Sequence, residues 1–277
     1  MLDIHSTVKL NSGHEMPRLG FGVFQIDNGQ ACERAVREAL DAGYRHIDTA
    51  AVYGNEESVG KALADCGVPR EDVFVTTKLW LSEFGTSKTR KACEVSLGKL
   101  RIDWVDLYLI HWPVREGLIE AWKAMQALRD EGKCRSIGVS NFTVRRFEEQ
   151  FFLGTDEAPA VNQVELHPFL TRQDLADYCR AKGIQVEAYS PLARAEKMDN
   201  PALKELAARH GKSAAQVMIR WSLQKGNVVI PKSSHAERIR ENADVYGFEL
   251  SAADMARIDA LNADEHVLKW TPEPGWF

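Results

Sequence analysis

One alternation runs through most of the sequence: a short apolar run rich in β-branched or aromatic residues, followed by an amphipathic segment. Eight runs of this kind occur: RLGFGVF (18–24), RHIDTA (45–50), VFVTTK (73–78), VDLYLIHW (105–112), RSIGVS (135–140), AVNQVEL (160–166), IQVEAYS (184–190) and VVIPKS (228–233). Strands that alternate with helices are typical of parallel βαβ units. Eight such units fit a closed α/β barrel of the (β/α)8 or TIM type better than an open sheet, and we predict that fold.

The segments between the runs have helical features, and nothing divides the chain into parts. In ACERAVREALDAG the apolar side chains fall on one helical face, and Gly43 follows as a stop. At 277 residues the chain is close to the size of one TIM barrel, typically about 250 residues. It contains no Pro- or Gly-rich linker and no self-similar repeat. We therefore predict a single domain over residues 1–277.

Two segments lie outside the eight units. The N-terminal TVKLNSGHEMPRLG is interpreted as a β-hairpin that turns at Asn11, Ser12 and Gly13 and caps the bottom of the barrel. The C-terminal EHVLKWTPEPGWF is rich in Trp and Pro and has no helical period. We predict that it is a loop that folds over a surface or near the site.

Composition narrows the possible partners. A formal net charge of -5 argues against a nucleic-acid surface, which usually shows a basic excess. The N-terminus lacks the pattern of a signal peptide, and no stretch approaches the roughly 20 apolar residues of a membrane span. Five cysteines without a C-x-x-C pair fit buried thiols better than a disulfide framework or a metal site. We expect a cytoplasmic monomer that binds neither nucleic acid nor membrane.

Polar side chains end three consecutive runs. Asp48 follows RHI, Lys78 follows VFVTT, and His111 follows DLYLI. Tyr53 comes just before Asn55, the predicted N-cap of the next helix. Taken singly, the four could be a turn cap, a surface charge, a core histidine and a packing aromatic. Because barrel strands end at one shared face, we expect them together in the barrel mouth, where an unpaired charge is costly.

This set of residues permits proton donation by a phenol. An ammonium stabilises phenolate, so Lys78 is predicted to lower the pKa of Tyr53, and Asp48 would keep Lys78 charged and oriented. His111 would orient or polarise a carbonyl oxygen. No residue of the set is an obvious nucleophile, and hydride from a nicotinamide would fill that role. A metal-dependent hydrolase is disfavoured because the first strand has no H-x-H and His111 has no histidine neighbour in sequence.

These residues lie within longer motifs: GFGVF, GYRHIDTAAVYGNEESVGKAL, TTKLW, VDLYLIHWP, SIGVSNF, VNQVELHP, YSPLA, VVIPKSS and RIRENADVYGFEL. With these motifs, the sequence resembles the aldo-keto reductase family, most closely the bacterial branch that contains the 2,5-diketo-D-gluconate reductases. The resemblance implies a (β/α)8 barrel and places the family's catalytic tetrad on Asp48, Tyr53, Lys78 and His111. It implies NADPH-dependent reduction of aldehydes and ketones, such as methylglyoxal and 2,5-diketo-D-gluconate, with Tyr53 as proton donor. A non-catalytic NADP(H)-binding sensor or regulatory subunit on the same fold is the alternative.

The resemblance also implies a nicotinamide cofactor bound in an extended form, and the chain has no G-x-G-x-x-G fingerprint. Ser140, Asn141 and Gln163 would bond the nicotinamide carboxamide. Tyr189 would stack on the ring, and two neighbours, Ser190 and Leu192, would lie beside the pyrophosphate. Without the resemblance, the Ser140–Asn141 pair could equally be a helix cap after its strand.

The segment IPKSSHAERIREN carries the expected 2′-phosphate site. By the resemblance, the phosphate contacts are Lys232, Ser233 and Arg238, and the adenine contacts are Glu241 and Asn242. The pattern from Ser234 to Glu237 is also that of a capping box, and both interpretations can hold. Related reductases often carry Arg or Thr where this chain has Ser234-His235. We expect NADPH to be preferred, with NADH bound more weakly.

Aromatic residues line the family's substrate pocket. The matching positions here are Phe24, Trp80 and Trp112 beside His111, with Trp270 and Trp276 of the tail as additions. The loop that follows YSPL is short. It favours an open pocket for small polar carbonyl compounds over one for steroids.

Overall fold

The computed structural model describes residues 2–272 and confirms the barrel. Its strands are β1 Thr7–Lys9, β2 Glu15–Pro17, β3 Phe21–Gly22, β4 His46–Asp48, β5 Phe74–Leu79, β6 Val105–Ile110, β7 Cys134–Ser140, β8 Val161–Glu165, β9 Gln185–Tyr189 and β10 Val228–Val229. Strands β3 to β10 pair in chain order, each parallel to the next. Two backbone hydrogen bonds of 2.9 Å close the sheet, from Gly20 N to Val229 O and from Val229 N to Arg18 O.

Helices connect the strands and cover the outside of the sheet. They are α1 Gln30–Asp41, α2 Glu56–Asp65, α3 Thr86–Leu100, α4 Leu118–Asp130, α5 Val144–Arg146, α6 Gln173–Ala181, α7 Pro201–His210, α8 Ala214–Gln224, α9 Ala236–Ala243 and α10 Ala252–Asp259. Helix α1 ends as predicted, because Gly43 adopts a φ of 96° that other residues avoid. Among residues 2–272, none of the helices has the length and apolar character needed to cross a bilayer.

The predicted hairpin is formed by β1 and β2, which pair antiparallel. Leu10 and Met16 from this hairpin are buried in a cluster with residues from the lower barrel interior, including Phe74, Leu107 and Val161. Asn11 Nδ2 also donates to Pro159 O, 3.1 Å away, just before β8 begins. The hairpin therefore seals the end of the barrel at which the strands begin, and it leaves the opposite end open.

The main core lies between the sheet and the helices, where helices approach closely at small residues. A Cβ added to Gly60 of α2 would lie 2.5 Å from the carbonyl carbon of Leu100 at the end of α3. Backbone atoms cannot move aside as a flexible side chain can. Gly60 is therefore required by the contact between α2 and α3. In contrast, a Cβ on Gly98 of α3 would have nothing within 4 Å.

We expect Gly60→Ala to destabilise the fold by about 1–3 kcal/mol, because the added methyl forces α2 and α3 apart. Gly98→Ala is the matched control, and it should stabilise the protein by about 0.5–1 kcal/mol through lower entropy of the unfolded chain. Urea denaturation of both variants measures the difference. Equal stabilities for the two variants would show that the close approach of these helices is not a constraint.

Candidate active site

The loop that follows β4 carries Tyr53 to the open end of the barrel. Residues Ala51–Tyr53 form one turn of 3-10 helix, which ends at Gly54 with a φ of 71°. Asn55 lies at the N-cap position of α2, as predicted, but its side chain does not cap the helix. Instead its Nδ2 donates to Val23 O and to the carbonyl oxygen of residue 26, both at 3.0 Å, and its Oδ1 accepts from Thr49. Asn55 therefore fixes the loop that positions Tyr53.

Lys78 lies under this loop with no exposed surface. Its Nζ donates to Asp48 Oδ1 at 2.6 Å, to Thr49 O at 2.8 Å and to the Tyr53 hydroxyl at 3.4 Å. The three predicted residues Asp48, Tyr53 and Lys78 are thus in direct contact. The ammonium has a partner for each of its three protons, which a buried lysine requires.

The buried ammonium controls the charges around it. Burial alone would lower the pKa of Lys78, but Asp48, Tyr53 and Glu187 together outweigh that effect and the net shift is upward. Burial raises the pKa of Asp48, and the ammonium opposes this. Lys78 lowers the pKa of Tyr53, as expected, but the net shift is in the opposite direction. Burial, together with the charges of Asp48 and Glu187, raises the pKa of Tyr53 by more than Lys78 lowers it. Tyr53 therefore keeps its proton at neutral pH, the state that a proton donor needs.

His111 completes the set from the end of β6. Its ring meets the Tyr53 ring edge-on, with centroids 5.6 Å apart, and the Trp80 ring at 5.2 Å. Burial and the charge of Lys78 lower the pKa of His111 well below its ordinary value. The imidazole is neutral, so it presents one N–H and one bare nitrogen. A neutral imidazole next to a phenol can orient a carbonyl oxygen between the two groups.

The residues predicted to bind a carboxamide lie on the neighbouring strands. Asn141 Nδ2 donates to His111 O at 2.9 Å, and Asn141 Oδ1 accepts from the Tyr189 hydroxyl at 2.9 Å. Ser140 donates to Gln163 O at 2.8 Å. The Ser140–Asn141 pair is not a helix cap, because Thr143 caps α5. These bonds join the ends of β6 to β9 in one wall.

The predicted phosphate site lies at the start of α9. The capping box expected from Ser234 and Glu237 is not formed, because α9 begins at Ala236 and its N-cap is His235. Ser233 Oγ instead accepts a hydrogen bond from the backbone N–H of His235, at 3.1 Å, and this bond lies in the turn that precedes α9. Ser233 is buried and Lys232 is exposed.

Arg194 is a cation that the sequence analysis missed. It lies in the loop after β9, where residues Ala193–Ala195 all have positive φ, at 46°, 51° and 64°. Burial and the charge of Arg194 both lower the pKa of Lys232, so the two cations lie near each other. Arg194 also donates to Gln25 Oε1 at 2.9 Å. A lone arginine directly after YSPLA was the available clue, and an anion between these cations would relieve their repulsion.

A cavity of about 910 Å³ joins the two ends of this site. The predicted residues that line it are Phe24, Asp48, Tyr53, Trp80, His111, Trp112, Ser140, Asn141, Gln163, Tyr189, Ser190, Leu192, Lys232, Ser233, Arg238, Glu241, Asn242 and Trp270. Lys78 lies beneath the floor of the cavity, and Trp276 lies outside the described residues. The structure thus brings together the sets that were predicted separately from distant motifs.

The C-terminal tail forms one wall of the cavity. Residues 261–272 are without helix or strand, as predicted, and Trp270 stacks on Trp80 at 5.9 Å and meets Trp112 edge-on at 5.7 Å. Buried Glu165 holds this tail. Its carboxylate accepts from Val267 N at 2.7 Å, Leu268 N at 3.1 Å and His266 Nδ1 at 3.0 Å.

Burial raises the pKa of Glu165, but the hydrogen bonds from His167, His266 and the Val267 N–H outweigh it and lower that pKa to about 2. Sequence analysis missed Glu165. An acid on the same strand face as Gln163, two residues later, was the available indication.

Glu187 on β9 was also missed, although it is an acid inside an apolar strand. With His46 and Asp48 it forms a group of three buried side chains whose ligand atoms lie within 4.8 Å of one another. The Lys78 ammonium already occupies Asp48 and would repel a cation placed there. We assign no metal to this group.

Comparison with known proteins agrees with this site. The profile of the Aldo/keto reductase family matches residues 18–263. The chain is 50% identical over 264 residues to a glyoxal reductase of Bacillus subtilis, which covers 95% of each protein. A crystal structure of an aldo/keto reductase from Brucella melitensis superposes with a TM-score of 0.89 at 47% identity, covering 93% of this chain and 99% of that one.

A Bombyx mori aldo-keto reductase in complex with NADP has the same fold, with a TM-score of 0.89 at 35% identity, over 97% of this chain and 96% of that one. None of these comparisons specifies the 2,5-diketo-D-gluconate reductase branch, which stays a prediction. The match in sequence and in fold extends over nearly the whole chain, and we conclude that it belongs to the aldo/keto reductase family of oxidoreductases.

Proposed function

We propose that this protein reduces small carbonyl compounds to alcohols with NADPH, and that Tyr53 donates the proton. The observation that carries the proposal is the contact of the Tyr53 hydroxyl with the buried Lys78 ammonium, 3.4 Å away, on the floor of the cavity. A bound nicotinamide would supply hydride. The chain's own residues would then have to bind the cofactor, orient the carbonyl and deliver a proton to its oxygen.

The cavity residues fit such a cofactor at both of its ends. Ser140, Asn141 and Gln163 present amide and hydroxyl groups on the wall next to His111, where a carboxamide would bond. Arg194, Lys232 and Arg238 line the far end, where phosphate groups would neutralise them. The B. mori relative that was solved with NADP supports this assignment.

Proton transfer follows from the charges in the site. A carbonyl oxygen held by the neutral His111 and the Tyr53 hydroxyl would gain negative charge if a bound nicotinamide supplied hydride to the carbon. The Tyr53 proton moves to that oxygen, and the phenolate left behind is stabilised by Lys78. Asp48 keeps Lys78 charged throughout. Positioned acids of this kind contribute about 10²–10⁴-fold to a rate.

The pocket next to the acid suits small, polar carbonyl compounds. Phe24, Trp80, Trp112 and Trp270 enclose the space above Tyr53 and His111. The glyoxal reductase relative supports α-dicarbonyl substrates such as glyoxal and methylglyoxal, with keto sugars as further candidates. Loss of NADPH absorbance in the presence of these compounds tests the function. Tight NADPH binding without turnover of aldehydes, dicarbonyls or keto sugars would favour a nucleotide sensor instead.

Tyr53→Phe should lower kcat for carbonyl reduction by about 10²–10⁴-fold, because it removes only the transferable proton. NADPH affinity, measured by fluorescence titration, should stay within about twofold. Tyr246→Phe is the control, since its buried hydroxyl has no hydrogen-bond partner among residues 2–272 and lies outside the cavity. Retained turnover in Tyr53→Phe would remove Tyr53 as the acid.

Arg238→Ala should weaken NADPH binding about 10–100-fold and NADH binding far less, because a charge-assisted bond to the 2′-phosphate contributes about 1.5–3 kcal/mol. Arg240→Ala is the matched control on the same helix, since Arg240 pairs with Glu38 at 2.6 Å and lies outside the cavity. Dissociation constants for both cofactors provide the measurement. Equal losses for NADPH and NADH would contradict a phosphate contact.

Glu165→Gln should raise KM for carbonyl substrates severalfold and change kcat less, because the tail wall loses its charged anchor while the acid stays in place. Glu265→Gln is the control on the same tail, where Glu265 makes an exposed pair with Lys197 at 2.8 Å. Steady-state kinetics of the two variants separate the effects. An unchanged KM in Glu165→Gln would show that the tail does not form the substrate wall.

A further inference from the structure

A second carboxyl lies below the catalytic group and takes no part in the mechanism described above. Glu187 points into the barrel from β9 and has no exposed surface. One side-chain nitrogen joins it to the site: Gln163 Nε2 donates to Asp48 Oδ2 at 2.8 Å and to Glu187 Oε2 at 2.9 Å. Two carboxyl groups thus share the amide of one glutamine inside a closed barrel.

The charges around Glu187 do not balance if both carboxyls are ionised. From β4 it faces Asp48 and His46, whose Nε2 is 3.6 Å from Glu187 Oε1. From β5 it faces Lys78, which touches Asp48 directly. The His46 imidazole is neutral, because burial and Lys78 lower its pKa to about 3. In the part of the chain that the structure describes, Glu187 also acts electrostatically on the Tyr53 phenol, bonds the Gln163 amide and lies opposite the apolar Val228 of β10. One cation therefore serves two carboxyl groups.

If one of the two carboxyls is protonated, the Oε1 atom of Glu187 indicates which one it is. Within residues 2–272, Oε1 of Glu187 accepts no hydrogen bond. A buried carboxylate with a bare oxygen is costly, whereas a carboxyl that carries a proton on that oxygen is neutral. Asp48 has the direct contact with Lys78, so Asp48 keeps the charge. Burial and the nearby Asp48 raise the pKa of Glu187 to about 8.

We propose that Glu187 is a positioning residue that holds Gln163 as a neutral, protonated acid, and that its ionisation slows carbonyl reduction by adding a negative charge next to Tyr53. In the neutral form, Oε2 accepts from Gln163 and Oε1 carries the proton. Both N–H groups of Gln163 are then used, so only its oxygen is left to accept from a carboxamide. When the proton leaves Glu187 for solvent, the new charge makes the Tyr53 phenol a weaker acid.

The protonation itself can be tested without any substrate. An acid with a raised folded-state pKa binds an extra proton in the folded protein between its unfolded pKa, about 4.3, and about 8. Stability from this group is therefore lost as the pH rises through that window. The ratio of the unfolding constants of wild type and Glu187→Gln should rise about tenfold per pH unit between about pH 5 and 8. Glu249 is exposed, and Glu249→Gln is the control. Its unfolding constant should change with pH in parallel with that of wild type.

If the unfolding constant of Glu187→Gln changed with pH in parallel with that of wild type, the proposal would be overturned. Should that variant not fold, carbon NMR of the wild-type protein labelled at its glutamate side-chain carboxyls decides the same point. One glutamate should titrate near pH 8. Ordinary titration of every glutamate below pH 6 would overturn the proposal.

The kinetic consequence rests on the proposed function. Glu187→Gln stays neutral at every pH, so its kcat, taken relative to its own value at pH 6–7, should not fall as this carboxyl would ionise. Above pH 8 the wild-type rate should fall severalfold, while the variant keeps its rate. Superimposable pH profiles would refute the effect on Tyr53. If the wild type reduces no carbonyl at any pH, the proposed function fails, and the stability and NMR measurements still decide whether Glu187 is protonated.

Discussion

The ion pair between Lys78 and Asp48 is the interaction on which the site depends. Both groups are removed from water, and breaking a buried pair by deleting one partner costs about 3–5 kcal/mol in proteins. The barrel meets this requirement through strand order. Strands β4 and β5 are parallel neighbours, with Asp48 opposite Thr76, so Lys78 reaches back from two residues further along its strand. The main-chain oxygen of Thr49 and the Tyr53 hydroxyl complete the ammonium's bonds.

One cation sets the protonation states of groups on several strands. Lys78 opposes the effect of burial on Tyr53, and it helps to keep the imidazoles of His46 and His111 neutral. A protonated phenol and a neutral imidazole are the forms needed to hold a carbonyl oxygen and then protonate it. In the proposed mechanism Tyr53 is therefore strengthened as an acid at the moment when charge develops, since the ammonium stabilises phenolate rather than removing the proton beforehand.

The fold and the separate parts of the site could be predicted because both follow from local pattern. Eight apolar runs gave the barrel, and polar residues at the run ends gave Asp48, Lys78 and His111. Contacts across the barrel could not be predicted. Gln163 of β8 bridges Asp48 of β4 and Glu187 of β9. This contact depends on how the barrel closes, which the alternation of strands and helices in the sequence does not specify. The net rise in the pKa of Tyr53 was missed for a similar reason. It depends on how deeply the phenol is buried, and burial acts against the effect of the Lys78 charge.

Tyr53 and the tail wall beside it are held in different ways. The acid stands on strand ends and on a loop that Asn55 ties to two backbone oxygens. The tail wall has no helix or strand, and the buried carboxylate of Glu165 is one of its main anchors. Loops tolerate sequence change better than the strands of a barrel do. Under the proposed function, changes in the tail would therefore alter which carbonyl compound enters, while the proposed proton donor Tyr53, the Lys78 ammonium and the proposed cofactor wall remain as they are.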